Sequence, residues 1–214
     1  MRRVLIVESP GLADITSGDR RGELIKRQLE LLRIPCVLQA IHTSTLFEDV
    51  LKGGAPESDV IHLSAHGNTA GIGFTDGSFL DWKKLQIAAL PHTGGKLLVL
   101  DACQSAAFNV DANLAKFMQQ MMGGVAQPPK CVLTMVGNVY FADSVLAWGL
   151  FYRRLAQKLN GAPVVQTDAH HIKEALDSVK GAQLPKICAS YWYDEHGKYK
   201  NISPWLGGPV SPKP

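Results

Sequence analysis

Short runs of Val, Ile and Leu, apolar at nearly every position and separated by longer amphipathic stretches, constrain this 214-residue chain more than any other feature. A strand buried on both faces reads as such a run, and the stretches between are long enough for crossover helices. The pattern therefore predicts an α/β fold, a mostly parallel central sheet flanked by helices on both faces. A chain of this length supports one such domain. The predicted strands cover residues 3–8, 36–41, 59–64, 96–100, 131–136 and 186–191. Predicted helices cover 19–33, ended by Pro35, then 45–52, 109–122, 141–159 and 168–179, with a further one capped by Asp81 and running through Leu90. Residues 9–18, with Pro10 and Gly11, read as a loop. Residues 71–80 read as a hairpin turning at Asp76-Gly77 in a type I′ turn. Residues 194–197 read as a turn. The domain is expected over 1–202, with 203–214, which hold four prolines, as an extended or mobile tail.

Composition excludes several functions. With 46% apolar and 19% charged residues and no run near the roughly 20 apolar residues of a bilayer span, no membrane anchor is expected. Arg2-Arg3 before Val4-Leu5-Ile6-Val7 mimics the start of a secretory signal, but Glu8 ends the run too soon, so the cytoplasm is the expected compartment. A net charge of +3, scattered along the chain, indicates no nucleic-acid partner. The four cysteines, Cys36, Cys103, Cys131 and Cys188, contain no C-x-x-C pair, and no calcium loop is present. Free thiols and no metal or other cofactor are expected. Cys36, Cys131 and Cys188 fall inside predicted strands and read as core. His170 and His171, adjacent on a helix, point in different directions.

The chemistry gathers at two predicted strand ends. One delivers His66-Gly67 and the next delivers Asp101-Ala102-Cys103. Ligands bind beyond the carboxyl edge of such sheets. A thiol needs a base to become a thiolate nucleophile, and an imidazole can supply it. His62 also lies on the first of these strands, but inside it, and reads as a core or sheet-face group. A receiver-like or nucleotide-binding domain would share the alternating pattern. The chain has no G-x-G-x-x-G or Walker loop, and a single glutamate, not an acidic pair, ends the first strand.

The segments Val60-Ile61-His62-Leu63-Ser64-Ala65-His66-Gly67 and Leu97-Leu98-Val99-Leu100-Asp101-Ala102-Cys103-Gln104-Ser105 resemble the His-Gly and Asp-x-Cys motifs of clan CD peptidases: caspases, metacaspases and CHAT proteases. The resemblance to CHAT domains extends through the hairpin at 71–77, residues 80–85, Phe151-Tyr152-Arg153-Arg154-Leu155 and Glu174-Ala175-Leu176. It implies the caspase-hemoglobinase fold and a cysteine endopeptidase with His66 and Cys103 as catalytic dyad. The backbone N–H groups of Gly67 and Cys103 would form the oxyanion hole. From metacaspases it implies a pocket for a basic P1 side chain, Arg or Lys, built from Asp101 and Ser64, with Asp14 on the opposite wall. A caspase would need arginines to hold an aspartate there, and Arg20 and Arg21, though near, match no motif position. Small CHAT proteases further imply a prokaryotic regulatory or defence role, with a separate activator or sensor protein beside the peptide or protein substrate. A catalytically inactive relative would serve instead as an interaction module through exposed aromatics around Tyr191, Trp192, Tyr193 and Trp205.

Overall fold

The computed structural model describes residues 1–108, 128–160, 168–193 and 198–205. Strand β1 (Val4–Ser9) is buried along its whole length and pairs in parallel with β2 (Cys36–Ala40) on one side and β3 (Val60–Gly67) on the other. Beyond β3 the sheet continues in parallel through β6 (Leu97–Asp101) and β7 (Cys131–Met135). It is completed by antiparallel β8 (Ile187–Tyr193) and β9 (Lys198–Asn201). The order is β2-β1-β3-β6-β7-β8-β9, with the small hairpin β4 (Gly71–Gly73) and β5 (Phe79–Asp81) hung on the end of β3.

Side chains alternate across the sheet with a period of two, and this sorts the core into two layers. Val4, Ile6, Val60, Val99 and Leu133 face one layer, beneath α2 (Arg21–Leu31), α5 (Phe141–Leu159) and α6 (Ala169–Gly181). Leu5, Val7, Ile61, Leu63 and Leu98 face the other, beneath α3 (Ser44–Gly54) and α4 (Trp82–Ala89). Helix α5 supplies the bulk of the first layer: Trp148, Phe151 and Tyr152 are fully buried, and Trp148 meets both Phe151 and His62 edge to face. Since β2 and β3 lie on opposite sides of β1, with α2 and α3 on opposite faces, the chain reverses direction across the sheet at the carboxyl end of β1. A crevice opens at such a point.

Most predicted elements form within a residue or two of their expected ends, and the departures have local causes. Residues 12–17 form a helix, α1 (Leu12–Ser17), instead of a loop. It buries none of its residues, so its sequence carries no apolar stripe. Strand β3 runs on through His66 and Gly67, because β4 pairs with its end (His66 opposite Gly73, Gly67 opposite Ile72). The hairpin turn is not type I′: Gly77 has φ 83° but Asp76 does not share that region. Phe74 N–H donates to Ser78 O and Gly77 N–H to Phe74 O, closing a three-residue loop. Strand β9 was missed because Lys-Tyr-Lys-Asn at a sheet edge has no apolar run. The expected helix at 109–122, the turn at 194–197 and residues 206–214 lie outside the described residues. The chain beyond β9 stays on the sheet as far as Ser203, which is buried and accepts the Ala189 N–H through its Oγ at 2.7 Å. Among the described residues, no helix is long and apolar enough to cross a membrane.

Because Trp148 is fully buried while Leu146, on the same helix, is 55% exposed, Trp148→Ala should lower unfolding free energy by about 3–5 kcal/mol. Leu146→Ala should change it by under about 0.5 kcal/mol. Urea titrations of the two variants check this.

Candidate active site

Ser64 stands opposite Asp101 in the parallel ladder of β3 and β6. His66 follows Ser64 by two residues, still on β3, and Cys103 follows Asp101 by two residues, in the turn just past the end of β6. The strands themselves run about 4.8 Å apart. Gly67 packs directly on the Cys103 backbone, where an added Cβ would stand 2.8 Å from Cys103 O and 2.9 Å from Ala102 Cβ. Glycine is therefore needed here for close approach, and the backbone is extended strand.

His66 is exposed, and its Nε2 lies 2.5 Å from Asp14 Oδ2. The same carboxylate oxygen accepts the Gly11 N–H at 2.9 Å, which fixes it at the first turn of α1. A carboxylate on Nε2 selects the tautomer with its proton there and leaves the lone pair on Nδ1. Asp14 thus has a different place from the one expected. It also lines the cleft between β1, β3 and α2, but its direct partner is the histidine.

Cys103 is half-buried, and the loop after β7 holds it. Its Sγ accepts the Val139 N–H at 3.4 Å and lies 3.7 Å from Val139 O. Gln104, in the left-handed region at φ 56°, donates its N–H to Gly137 O at 2.7 Å. The buried Ser105 hydroxyl donates to Leu100 O and accepts Met135 N–H, both at 2.8 Å. The turn after β6 is therefore locked to β7 and to the loop that follows it by the two residues after the thiol.

Asp101 is fully buried and fully engaged. Ser144 Oγ from α5 donates to Oδ1 at 2.6 Å, Arg21 Nη1 from the start of α2 lies 3.3 Å from Oδ1, and Ser64 Oγ lies 3.5 Å from Oδ2. His62 Nε2 stands 3.7 Å from Oδ2, beyond hydrogen-bond reach, while its Nδ1 is 2.8 Å from Tyr152 Oη. Burial pushes the Tyr152 phenol's pKa well up, with the Asp101 charge adding to it. Tyr152 therefore stays protonated. Burial alone would raise the Asp101 pKa as well. The Arg21 guanidinium, the His62 ring and the Ser144 hydroxyl outweigh that and hold it at about 2. Of the residues expected to build the S1 pocket, Asp101 and Ser64 face each other, and Arg21 stands on the carboxylate.

Sequence reasoning set Arg21 aside as matching no motif position and missed Ser144, Ser105 and Val139 as partners; the four come from α2, α5 and the loops after β6 and β7. Only Arg21 left a signal, in Arg20-Arg21-Gly22 at the start of a predicted helix. There Arg20 Nη2 lies 2.9 Å from the buried Glu8 carboxylate and Gly22 N–H donates to it at 2.7 Å. Cations at a helix N-terminus oppose its dipole, so such a pair calls for buried carboxylates nearby. His62 takes the core place expected of it, and Cys131 is buried, whereas Cys36 and Cys188 are only half-buried. The aromatic docking patch is not exposed. Tyr191 and Trp192 are buried, Trp192 stacks edge to face on Tyr199, and Trp205 packs partly against the core; the Tyr193 side chain lies outside the described residues. Among the described residues, no three His, Cys, Asp or Glu side chains gather as a metal site.

No protein-family model matches the sequence, and no curated protein matches it either. Among solved structures, the chain is similar to the Arg-specific cysteine proteinase gingipain R, with a TM-score of 0.50 and 12% identity over 92% of this chain and 44% of that one. It is also similar to the complex of the pro- and mature domains of RgpB from Porphyromonas gingivalis, with a TM-score of 0.52 and 12% identity over 85% of this chain and 43% of that one. The chain spans under half the length of these structures. At this identity the likeness is one of fold, and the fold is the caspase-like α/β fold, a central, mostly parallel sheet between helices.

The Asp101 network has a measurable acid limit. Its folded pKa of about 2 lies below the ordinary 3.8, so its stabilisation is present above pH 4 and is lost as pH falls towards 2. The shift corresponds to about 2 kcal/mol. Unfolding curves from pH 5 to 2 should show this acid limb in the wild type. Asp101→Asn should flatten the limb while being less stable at pH 7, where Arg21 loses its counter-charge.

Proposed function

We propose that the chain is a cysteine endopeptidase that cuts peptide or protein substrates after a basic residue. The observation that carries this reading is that His66 and Cys103 each follow by two residues the paired positions Ser64 and Asp101 at neighbouring strand ends, with Asp14 on the His66 ring. In the proposed reaction the Cys103 thiol gives its proton to His66 Nδ1 as sulfur attacks the scissile carbonyl carbon. The resulting oxyanion accepts N–H groups from Gly67 and Cys103. As the tetrahedral species collapses, His66 returns the proton to the leaving amine nitrogen. Water, deprotonated by His66, then hydrolyses the thioester and frees the enzyme.

A basic P1 residue suits the cleft beside His66, which Asp19 lines and whose lining residue Arg21 stands on the buried Asp101. The Arg specificity of gingipain R agrees with that choice. The closer affiliation with CHAT and metacaspase proteins rests on the two strand-end motifs. We also place control of the activity with a separate activator, in the cytoplasm of a prokaryotic regulatory or defence system. A thiol docked on Val139 and an acidic pocket floor already paired suit an enzyme awaiting a signal. The complex of the RgpB pro- and mature domains is consistent with control exerted from another domain.

Hydrolysis of a fluorogenic peptide library varied at P1, together with labelling by a thiol-directed probe, tests the reading. Activity after Arg or Lys should vanish in Cys103→Ala and fall by about 10²–10⁴-fold in His66→Ala. Labelling that bypasses Cys103, with no hydrolysis under any condition and a Cys103→Ala chain that keeps its biological effect, would instead make the chain an interaction module.

The assignment of Asp14 separates two roles. As the partner of His66 its change to Asn should lower kcat by about 10²-fold or more at nearly unchanged KM for every P1. A pocket carboxylate would instead raise KM for basic P1 residues alone. Steady-state kinetics on Arg and norleucine P1 substrates read the difference.

A further inference from the structure

Arg21 is the first residue of α2, yet its side chain turns inward and is only 16% exposed. Its Nη1 lies 3.3 Å from both Asp101 Oδ1 and Asp101 O, at the end of the strand that delivers Cys103, while the Phe141 ring lies 5.9 Å from the guanidinium carbon. With Ser64 and His66 it lines the cleft assigned to the P1 side chain. A guanidinium on a buried carboxylate, against an aromatic ring, at the edge of the catalytic cleft, is the set of contacts a bound arginine side chain would make.

The fit is also incomplete. A single nitrogen serves both acceptors at 3.3 Å, longer than the roughly 2.7–2.9 Å of a strong charge-assisted bond and without the two-pronged geometry an arginine prefers. The Arg21 Nε is buried with no partner among the described residues. An arginine placed only to neutralise Asp101 has no reason to leave that donor unmet. One that can be exchanged for another guanidinium does.

We propose that Arg21 is the specificity-determining residue of the cleft, a built-in occupant whose guanidinium stands on Asp101 in place of a substrate's basic side chain and must withdraw before an arginine or lysine at P1 can reach that carboxylate. The inference rests on the reading of the cleft as a pocket for a basic residue, but its test does not depend on hydrolysis. In the full-length chain, Arg21→Ala leaves Asp101 buried and unpaired, so the variant should melt lower than the wild type. Agmatine, a guanidinium on a four-carbon stem, should restore it at millimolar concentration, and the wild type and Arg21→Lys should not respond. If Arg21→Ala folds only when agmatine is supplied, that is the same positive result. A variant that agmatine neither stabilises nor rescues overturns the proposal.

Kinetics add a second arm. With Arg21 removed, kcat/KM for Arg and Lys at P1 should rise about tenfold or more relative to norleucine, and agmatine should inhibit the variant competitively. Agmatine stabilisation without hydrolysis by either protein would support the occupied pocket and count against the peptidase reading alone. Wild-type cleavage after Asp or Glu, lost in Arg21→Ala, would overturn the proposal by making Arg21 a reader of acidic side chains.

Discussion

A single buried carboxylate ties together the carboxyl edge of this molecule's sheet around Cys103. Asp101 ends β6, and its partners come from three other elements of the chain: Arg21 opens α2, Ser64 and His62 lie on β3, and Ser144 lies near the start of α5. A carboxylate without water is tolerable only when its charge and lone pairs are met, so these elements hold their positions as a set. Displacing any of them leaves the charge short of a partner. Cys103 follows Asp101 by two residues and inherits this rigidity.

Around that anchor the site divides into a rigid half and an adjustable one. The turn that carries Cys103 is bound to β7 through Ser105 and to the following loop through Gln104 and the thiol itself. The histidine half is different. His66 is exposed, and its orientation comes from Asp14 on α1, a helix of six residues that buries none of its own side chains. Elements with little buried area are the ones that shift at low free-energy cost. A change in α1 would reach His66 directly, and a change at the start of α2 would reach Asp101 through Arg21. Both lie in the segment joining β1 to β2, beside the crevice.

Much of the architecture was legible because burial writes itself into a sequence as periodicity. A strand covered on both faces must be apolar at successive positions, which made β1, β3, β6 and β7 visible, and the 141–159 helix was readable from end to end. The elements missed, α1 and β9, bury too little to leave a pattern. The placement of His66 and Cys103 was legible for another reason: His66 lies at the end of one strand and Cys103 just past the end of its neighbour, and both apolar runs can be seen in the sequence.

The sequence by itself therefore determined the strands, their flanking helices and the two side chains at neighbouring strand ends, since each depends on residues adjacent along the chain. Only the tertiary structure decided what those side chains touch. Asp14 went to His66, 52 positions away in the chain, instead of the far wall of a pocket. Arg21 reached across 80 positions to stand on Asp101, and Val139 reached back 36 to hold Cys103. Such pairings depend on the order of strands in the sheet and on which helix covers which face. No local pattern of residues encodes that choice, because it is made by the packing of the whole core.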